Sequence, residues 1–240
     1  MSSDDASATD VVYLVPVLPL TDRTDGLPLA TARLHGRPLF THAVRTLHDA
    51  GGAEVLVTAP LHGAAAVRDE LDDDPRATVV EDGETLGQAL LSVLSLEASG
   101  ASDEPLLVVH DPRCPLVPAA FVRDVVARAD AGDAGVVVGT RPMTDTVKSV
   151  VDGVVQRTVD RERLVVLASP LVMRLAVLRR LAGRPQLAEC ADLDDVVSFA
   201  RAAGVSVEWM PAPGLAWRVD DAAGVSVLES VTDGGNRPRQ

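Results

Sequence analysis

Short continuous apolar runs alternate along the chain with stretches whose apolar residues recur every three or four positions. The runs "VVYLVPVL" (11–18), "EVLVTAP" (54–60), "ATVVE" (77–81), "PLLVVHD" (105–111) and "AGVVVGT" (134–140) predict strands. Between them, "PLFTHAVRTLHDAG" (38–51), "HGAAAVRDELDDD" (62–74), "ETLGQALLSVLSLEA" (84–98) and "PAAFVRDVVARADAG" (118–132) predict helices. Pro38 suits a first helical turn and Gly51 a stop. Continuous apolar strands separated by helices predict an α/β fold, a mostly parallel sheet with helices on both faces. Ligands of such sheets bind at the carboxyl ends of the strands. Those ends are the loop after Val17, Asp111, and the segment after Thr140.

The pattern changes from Pro142 to Leu167. "PMTDTVKSVVDGVVQRTVDRERLVVL" alternates around Asp152-Gly153, which predicts an extended β-hairpin arm. Helical patterns follow at "LVMRLAVLRRLAG" (171–183) and "DLDDVVSFARAAG" (192–204). A strand "VSVEWMPA" (205–212), a short strand near "AWRVD" (216–220) and a last helix "AAGVSVLESV" (222–231) complete the chain. No internal repeat or linker interrupts it. The expected organisation is a disordered tail at 1–10, one Rossmann-like domain at 11–231 with its arm at about 142–167, and a flexible tail at 232–240.

Composition narrows the function classes. With 240 residues and 47% hydrophobic content the chain can bury a sizeable core, and with 2% aromatics that core must be Val, Leu and Ala. A formal charge of −13 argues against nucleic acid or an anionic membrane as partner. No apolar run reaches the roughly 20 residues that span a bilayer. "MSSDDASATD" lacks the basic and apolar regions of a signal peptide. The expectation is a cytoplasmic protein in which Cys114 and Cys190 are free thiols. The five histidines and two cysteines show no zinc-ligand spacing.

The motifs "LHGRPLFTHAVRTL", "VVHDPRCPLVP", "MTDTVKSV", "TVDRERLVVLASP" and "AWRVDDAAGVSVLE" run in order from 34 to 229. Together they resemble the 2-C-methyl-D-erythritol 4-phosphate cytidylyltransferase family of the non-mevalonate isoprenoid pathway. The resemblance implies a nucleotidyltransferase fold and a homodimer whose arms reach across to the partner. It also implies Mg²⁺-dependent joining of CTP to methylerythritol phosphate with release of pyrophosphate. By the same resemblance Asp111 is the metal-coordinating aspartate. Arg23 and Arg218 join it as catalytic residues, with Arg218 standing where the family has lysine. Thr146, Lys148 and Arg161 are the sugar-phosphate-binding residues on the arm.

The nucleotide half departs from the family pattern. The family loop reads Ala-Ala-Gly-x-Gly-x-Arg, then Pro-Lys. Here Pro16 is followed by Val17, Leu18, Pro19, Leu20, Thr21, Asp22 and Arg23, then Pro28 and Leu29. Phosphate loops need close backbone approach and free N–H groups. Pro19 has no N–H, and Leu29 supplies no cation. In the second nucleotide segment, "DGETLGQA" (82–89), Gly83 is kept. Leu86 and Ala89 replace the family's arginine and serine. Pro16, Val17 and Gly83 are thus the remnants of a nucleotide site. The family arginine after the aspartate is also displaced: Arg113 comes one residue early, and Cys114 takes its place. Two readings follow. One is a cytidylyltransferase with weak or lost catalysis; the other is a non-catalytic paralogue acting as a phosphosugar-binding or regulatory dimer.

Overall fold

The computed structural model describes residues 10–18, 28–71, 74–81, 83–96 and 105–234. The chain opens with β1 (Val11–Pro16). A 3₁₀ turn (Leu29–Thr31) leads to a small hairpin of β2 (Arg33–Leu34) and β3 (Arg37–Pro38). Helix α1 (Leu39–Asp49), β4 (Val55–Ala59), α2 (Ala64–Glu70), β5 (Ala77–Glu81) and α3 (Leu86–Leu96) follow. Then come β6 (Leu106–Val109), α4 (Ala119–Ala131) and β7 (Val136–Pro142). The arm is β8 (Lys148–Val151) with β9 (Val154–Thr158). The chain returns through β10 (Val165–Arg174), α5 (Leu175–Ala182), α6 (Leu193–Ala202), β11 (Val207–Pro211) and α7 (Ala222–Gly234).

Seven strands form the central sheet in the order β11-β7-β10-β6-β1-β4-β5. All neighbours are parallel except β10, which runs antiparallel to both β6 and β7. The pleat explains the two cores. Tyr13, Val15, Val57 and Val108 face α1, α2 and α4, where Phe40, Val44, Val67 and Phe121 meet them. Leu14, Leu107, Val109 and Leu171 face the opposite side, against Leu90 of α3, Leu178 of α5 and Val196 of α6. Each such side chain contributes about 1.5–3 kcal/mol on burial. A third cluster joins Leu29, Leu34 and Leu39 to Val225 and Leu228, so α7 seals the β2–β3 hairpin.

Three expectations are corrected. The helical pattern at 171–183 begins four residues too early, because Leu171–Arg174 complete β10; the helix starts only at Leu175, whose N–H donates to the Pro105 carbonyl. The segment "AWRVD" is a loop, tied by the Val219 N–H to the Arg113 carbonyl at 2.8 Å. Residues 232–234 belong to α7 rather than to a tail.

The arm forms as its pattern predicts. Asp152 and Gly153 take φ of 49° and 75°, the left-handed pair that a two-residue hairpin turn requires. Its stem continues the sheet, with Val165 opposite Pro142. Among the described residues no helix is long and apolar enough to cross a membrane.

Candidate functional site

Parallel β1 and β6 bring Pro16 and Asp111 to one edge of the sheet. Antiparallel β10 restores the direction of β7, so Thr140 and the root of the arm lie at that same edge. There a tight turn carries Asp111-Pro112-Arg113-Cys114, closed by the Cys114 N–H to the Asp111 carbonyl at 2.9 Å. The Asp111 N–H donates to Ser169 Oγ at 2.6 Å.

The Asp111 carboxylate is engaged on both oxygens. Arg113 Nε lies 3.1 Å from each, its Nη2 donates to Oδ2 at 2.8 Å, and its backbone N–H donates to Oδ1 at 2.9 Å. Arg218 flanks the pair, with Nε 4.0 Å from Asp111 Oδ2. Burial pushes the Asp111 carboxyl up, but the Arg113 and Arg218 charges outweigh it and hold it below the usual carboxylate value.

Arg218 is committed in turn. It donates to Asp194 at 2.6 Å and Asp192 at 3.1 Å, and Asp220 stands 3.4 Å from its Nε. Burial pulls this guanidinium down, but Asp111, Asp194 and Asp192 together raise it well above its ordinary value. Asp192 also accepts from the N–H groups of Asp194 and Asp195, capping α6. Arg113 and Arg218 thus sit among Asp111, Asp192, Asp194 and Asp220, and Arg218 Nε is buried without a hydrogen-bond partner among the described residues.

Sequence reasoning missed Asp192 and Asp194 as members of this cluster. The signal was present: "DLDD" ahead of an apolar helical period is an N-cap pattern. What it pairs with lies 26 residues on, at Arg218, and 79 back, at Arg113.

On the nucleotide side, Arg23, Pro19 and Leu20 lie outside the described residues. Pro16 has no N–H, and the Val17 N–H is taken by the Thr58 carbonyl at 2.8 Å. Val17 and Leu18 are buried. Leu29 is 2% exposed and lies in the cluster beneath α7. The cleft bounded by Pro16, Leu18, Leu29, Ala30 and Asp111–Arg113 holds about 10 Å³, the space of one water.

The start of α3 is closed as well. The Leu86 N–H donates to the Ala191 carbonyl and the Gly87 N–H to the Cys190 carbonyl, at 3.2 and 2.9 Å. Thr85 Oγ1 accepts from the Gln88 N–H at 3.1 Å and donates to the Ala188 carbonyl at 2.7 Å. A Cβ at Gly87 would fall 1.7 Å from the Leu187 carbonyl oxygen, so glycine there serves this packing. Leu86 and Ala89 are buried in the second core, and Gly83 takes φ +67° just before the helix.

The arm residues remain open to solvent. Thr146, Lys148 and Arg161 are exposed. Lys148 Nζ donates to Thr158 Oγ1 at 2.6 Å, and Arg161 donates to the Thr144 carbonyl at 2.8 Å. The structure brings Asp111, Arg113 and Arg218 together and keeps Thr146, Lys148 and Arg161 as a separate group on the arm.

A family model described as IspD, 2-C-methyl-D-erythritol 4-phosphate cytidylyltransferase, matches residues 14–225. The chain belongs to this family. A 2-C-methyl-D-erythritol 4-phosphate cytidylyltransferase of Saccharopolyspora erythraea is 31% identical over 226 residues, 92% of this chain and 98% of that protein. One from Streptomyces coelicolor is 32% identical over 219 residues, 86% of this chain and 78% of that protein. The cytidylyltransferase structure from Thermus thermophilus superposes with a TM-score of 0.69 at 25% identity, covering 94% of this chain and all of that one. A 4-diphosphocytidyl-2C-methyl-D-erythritol synthase structure reaches 0.75 at 17% identity, over 94% of this chain and 99% of that one, and shares the fold.

The cytidylyltransferase resemblance implies Mg²⁺ at Asp111, and the residues present do not fit it. Mg²⁺ requires near-octahedral oxygen ligands at about 2.0–2.1 Å. Both Asp111 oxygens already face the Arg113 guanidinium.

Proposed function

We propose that this cytidylyltransferase-family protein transfers CMP from CTP to 2-C-methyl-D-erythritol 4-phosphate weakly or not at all, and retains a phosphosugar-binding role as a homodimer. The observation that supports the reading is the closed start of α3. A helix N-terminus binds an anion through free N–H groups. Here the N–H groups of Leu86, Gly87 and Gln88 are taken by Ala191, Cys190 and Thr85. The two side chains at the family's nucleotide-contacting positions are apolar and buried. CTP has little left to hold on this side.

Thr146, Lys148 and Arg161 remain exposed on the arm, and a guanidinium there can grip a phosphate by a fork of donors. Calorimetry tests the reading in two arms. CTP with Mg²⁺ is expected to give no binding heat at millimolar concentration. Methylerythritol phosphate is expected to bind and raise the melting temperature by mass action, and Arg161→Ala to abolish that rise. Binding of CTP, or an unchanged rise in the variant, overturns the corresponding half of the proposal.

The arm also supports the dimer. Val150, Val151, Val154 and Val155 are 53–60% exposed on a two-stranded hairpin. An isolated hairpin of this size is marginal in water. The expectation is a dimer at micromolar concentration in sedimentation equilibrium, with Val151→Asp and Val154→Asp together shifting it to monomer. A monomeric parent protein rejects the assignment.

A further inference from the structure

We infer that Arg113 is a resident counter-ion that occupies the coordination sphere of Asp111 and keeps divalent cations out of the site. The inference deepens the reading of a weak or inactive cytidylyltransferase by naming the residue that closes its metal position.

Register in the turn sets the contact. In the turn Asp111-Pro112-Arg113-Cys114, the third residue has its N–H beneath the first residue's carboxylate, and the Arg113 N–H bonds Asp111 Oδ1. A side chain leaving that same residue folds back onto the carboxylate, and Arg113 is long enough to cover both oxygens. The fourth position is inside: Cys114 is fully buried in the first core, and burial pushes its thiol up to about 12. One residue of displacement therefore decides whether the arginine lies over Asp111 or elsewhere.

Electrostatics makes the closure firm. The side chains of Asp111 and Arg113 are 7% and 11% exposed, so water screens their attraction poorly. A divalent cation approaching Asp111 meets Arg113 on its oxygens and Arg218 on its flank. The neighbouring carboxylates are also paired with Arg218, Asp220 at 3.4 Å from its Nε. Asp192 is held by Arg218 and the first N–H groups of α6, and Asp194 by Arg218.

Mn²⁺ without nucleotide is the probe, followed by the loss of free-ion paramagnetic resonance signal on titration. The parent protein is expected to show no Asp111-dependent binding up to about 1 mM, a concentration at which weak carboxylate sites fill. Arg113→Gln keeps a donor for the carboxylate and removes the charge. It is expected to bind Mn²⁺ at least about tenfold more tightly, since a neighbouring positive charge typically lowers a carboxylate's proton affinity by about one to three decades and repels a divalent cation at least as strongly. Adding Asp111→Asn should remove that gain. Arg113→Lys should stay silent, which separates charge from bulk. Melting curves identify any variant that fails to fold, and comparison of the parent with Asp111→Asn then decides alone. Mn²⁺ bound by the parent but not by Asp111→Asn overturns the inference. Folded Arg113→Gln that binds no better than the parent also overturns it, because Arg113 is then not what excludes the ion. Neither result bears on the α3 closure, which the CTP titration tests separately.

Discussion

Pyrophosphate release from CTP and methylerythritol phosphate is expected to run at least about 10³-fold slower with this protein than with the Saccharopolyspora erythraea relative. Phosphoryl chemistry of this kind depends on holding the attacking group in line and on placing donors where charge develops. Losing one such donor typically reduces the rate by about 10²–10³. Here Val17 has given its N–H to Thr58, the N–H groups at the start of α3 are taken, and Arg218 is held by Asp192 and Asp194. A lysine at position 29 is not expected to help. Leu29 is 2% exposed among Leu34, Leu39, Val225 and Leu228, so Leu29→Lys would bury an unpaired charge. That variant is expected to restore no turnover and to lower the melting temperature. The assay follows pyrophosphate with purified protein, against Asp111→Ala. Turnover by the parent within tenfold of the relative, abolished in Asp111→Ala, would remove the case for weak catalysis.

The second large effect concerns acid. His110 is fully buried at the end of β6, beside Asp111, and neither ring nitrogen has a hydrogen-bond partner among the described residues. Burial lowers its pKa from 6.5 to about 4, against the opposing pull of Asp111. The unfolded chain therefore binds the proton more tightly than the folded one. Stability is unaffected above about pH 6.5, falls as pH drops from there, and has lost the whole contribution below about 4. The difference corresponds to about 3 kcal/mol, a large part of a typical total of about 5–15 kcal/mol. Asp111 acts in a lower window. Its folded pKa is depressed, so its contribution is present above the ordinary aspartate value and is lost as pH falls below it. Urea unfolding at pH 7, 5.5 and 4.5 is expected to show the steep fall in the parent and a shallower one in His110→Leu. Equal slopes in the two proteins would mean that His110 does not carry the acid sensitivity.

Local pattern was enough for the elements whose burial leaves no choice. Val- and Leu-rich runs without polar breaks had to be buried strands, and β1, β4, β6 and β7 are where those runs lie. Asp152-Gly153 between alternating residues could only reverse the chain, and it does. The order of motifs was enough to place the family. Packing settled what local pattern leaves degenerate. The stretch from Leu171 reads locally as a helix; the exposed backbone edges of β6 and β7 made Leu171–Arg174 the end of a strand instead. Asp111 and Arg218 stood out in the sequence as candidates, but their meeting with Asp192 and Asp194 in one cluster did not. Which charges meet depends on α6 and the loop at 216–220 folding back onto the turn after β6, from 79 and more residues away. Position 29 reads in sequence as a missing cation, and only α7, at the far end of the chain, makes it a core position. A side chain's chemistry is written in its own codon, but its solvent and its partner are supplied by whichever distant segments the fold packs against it.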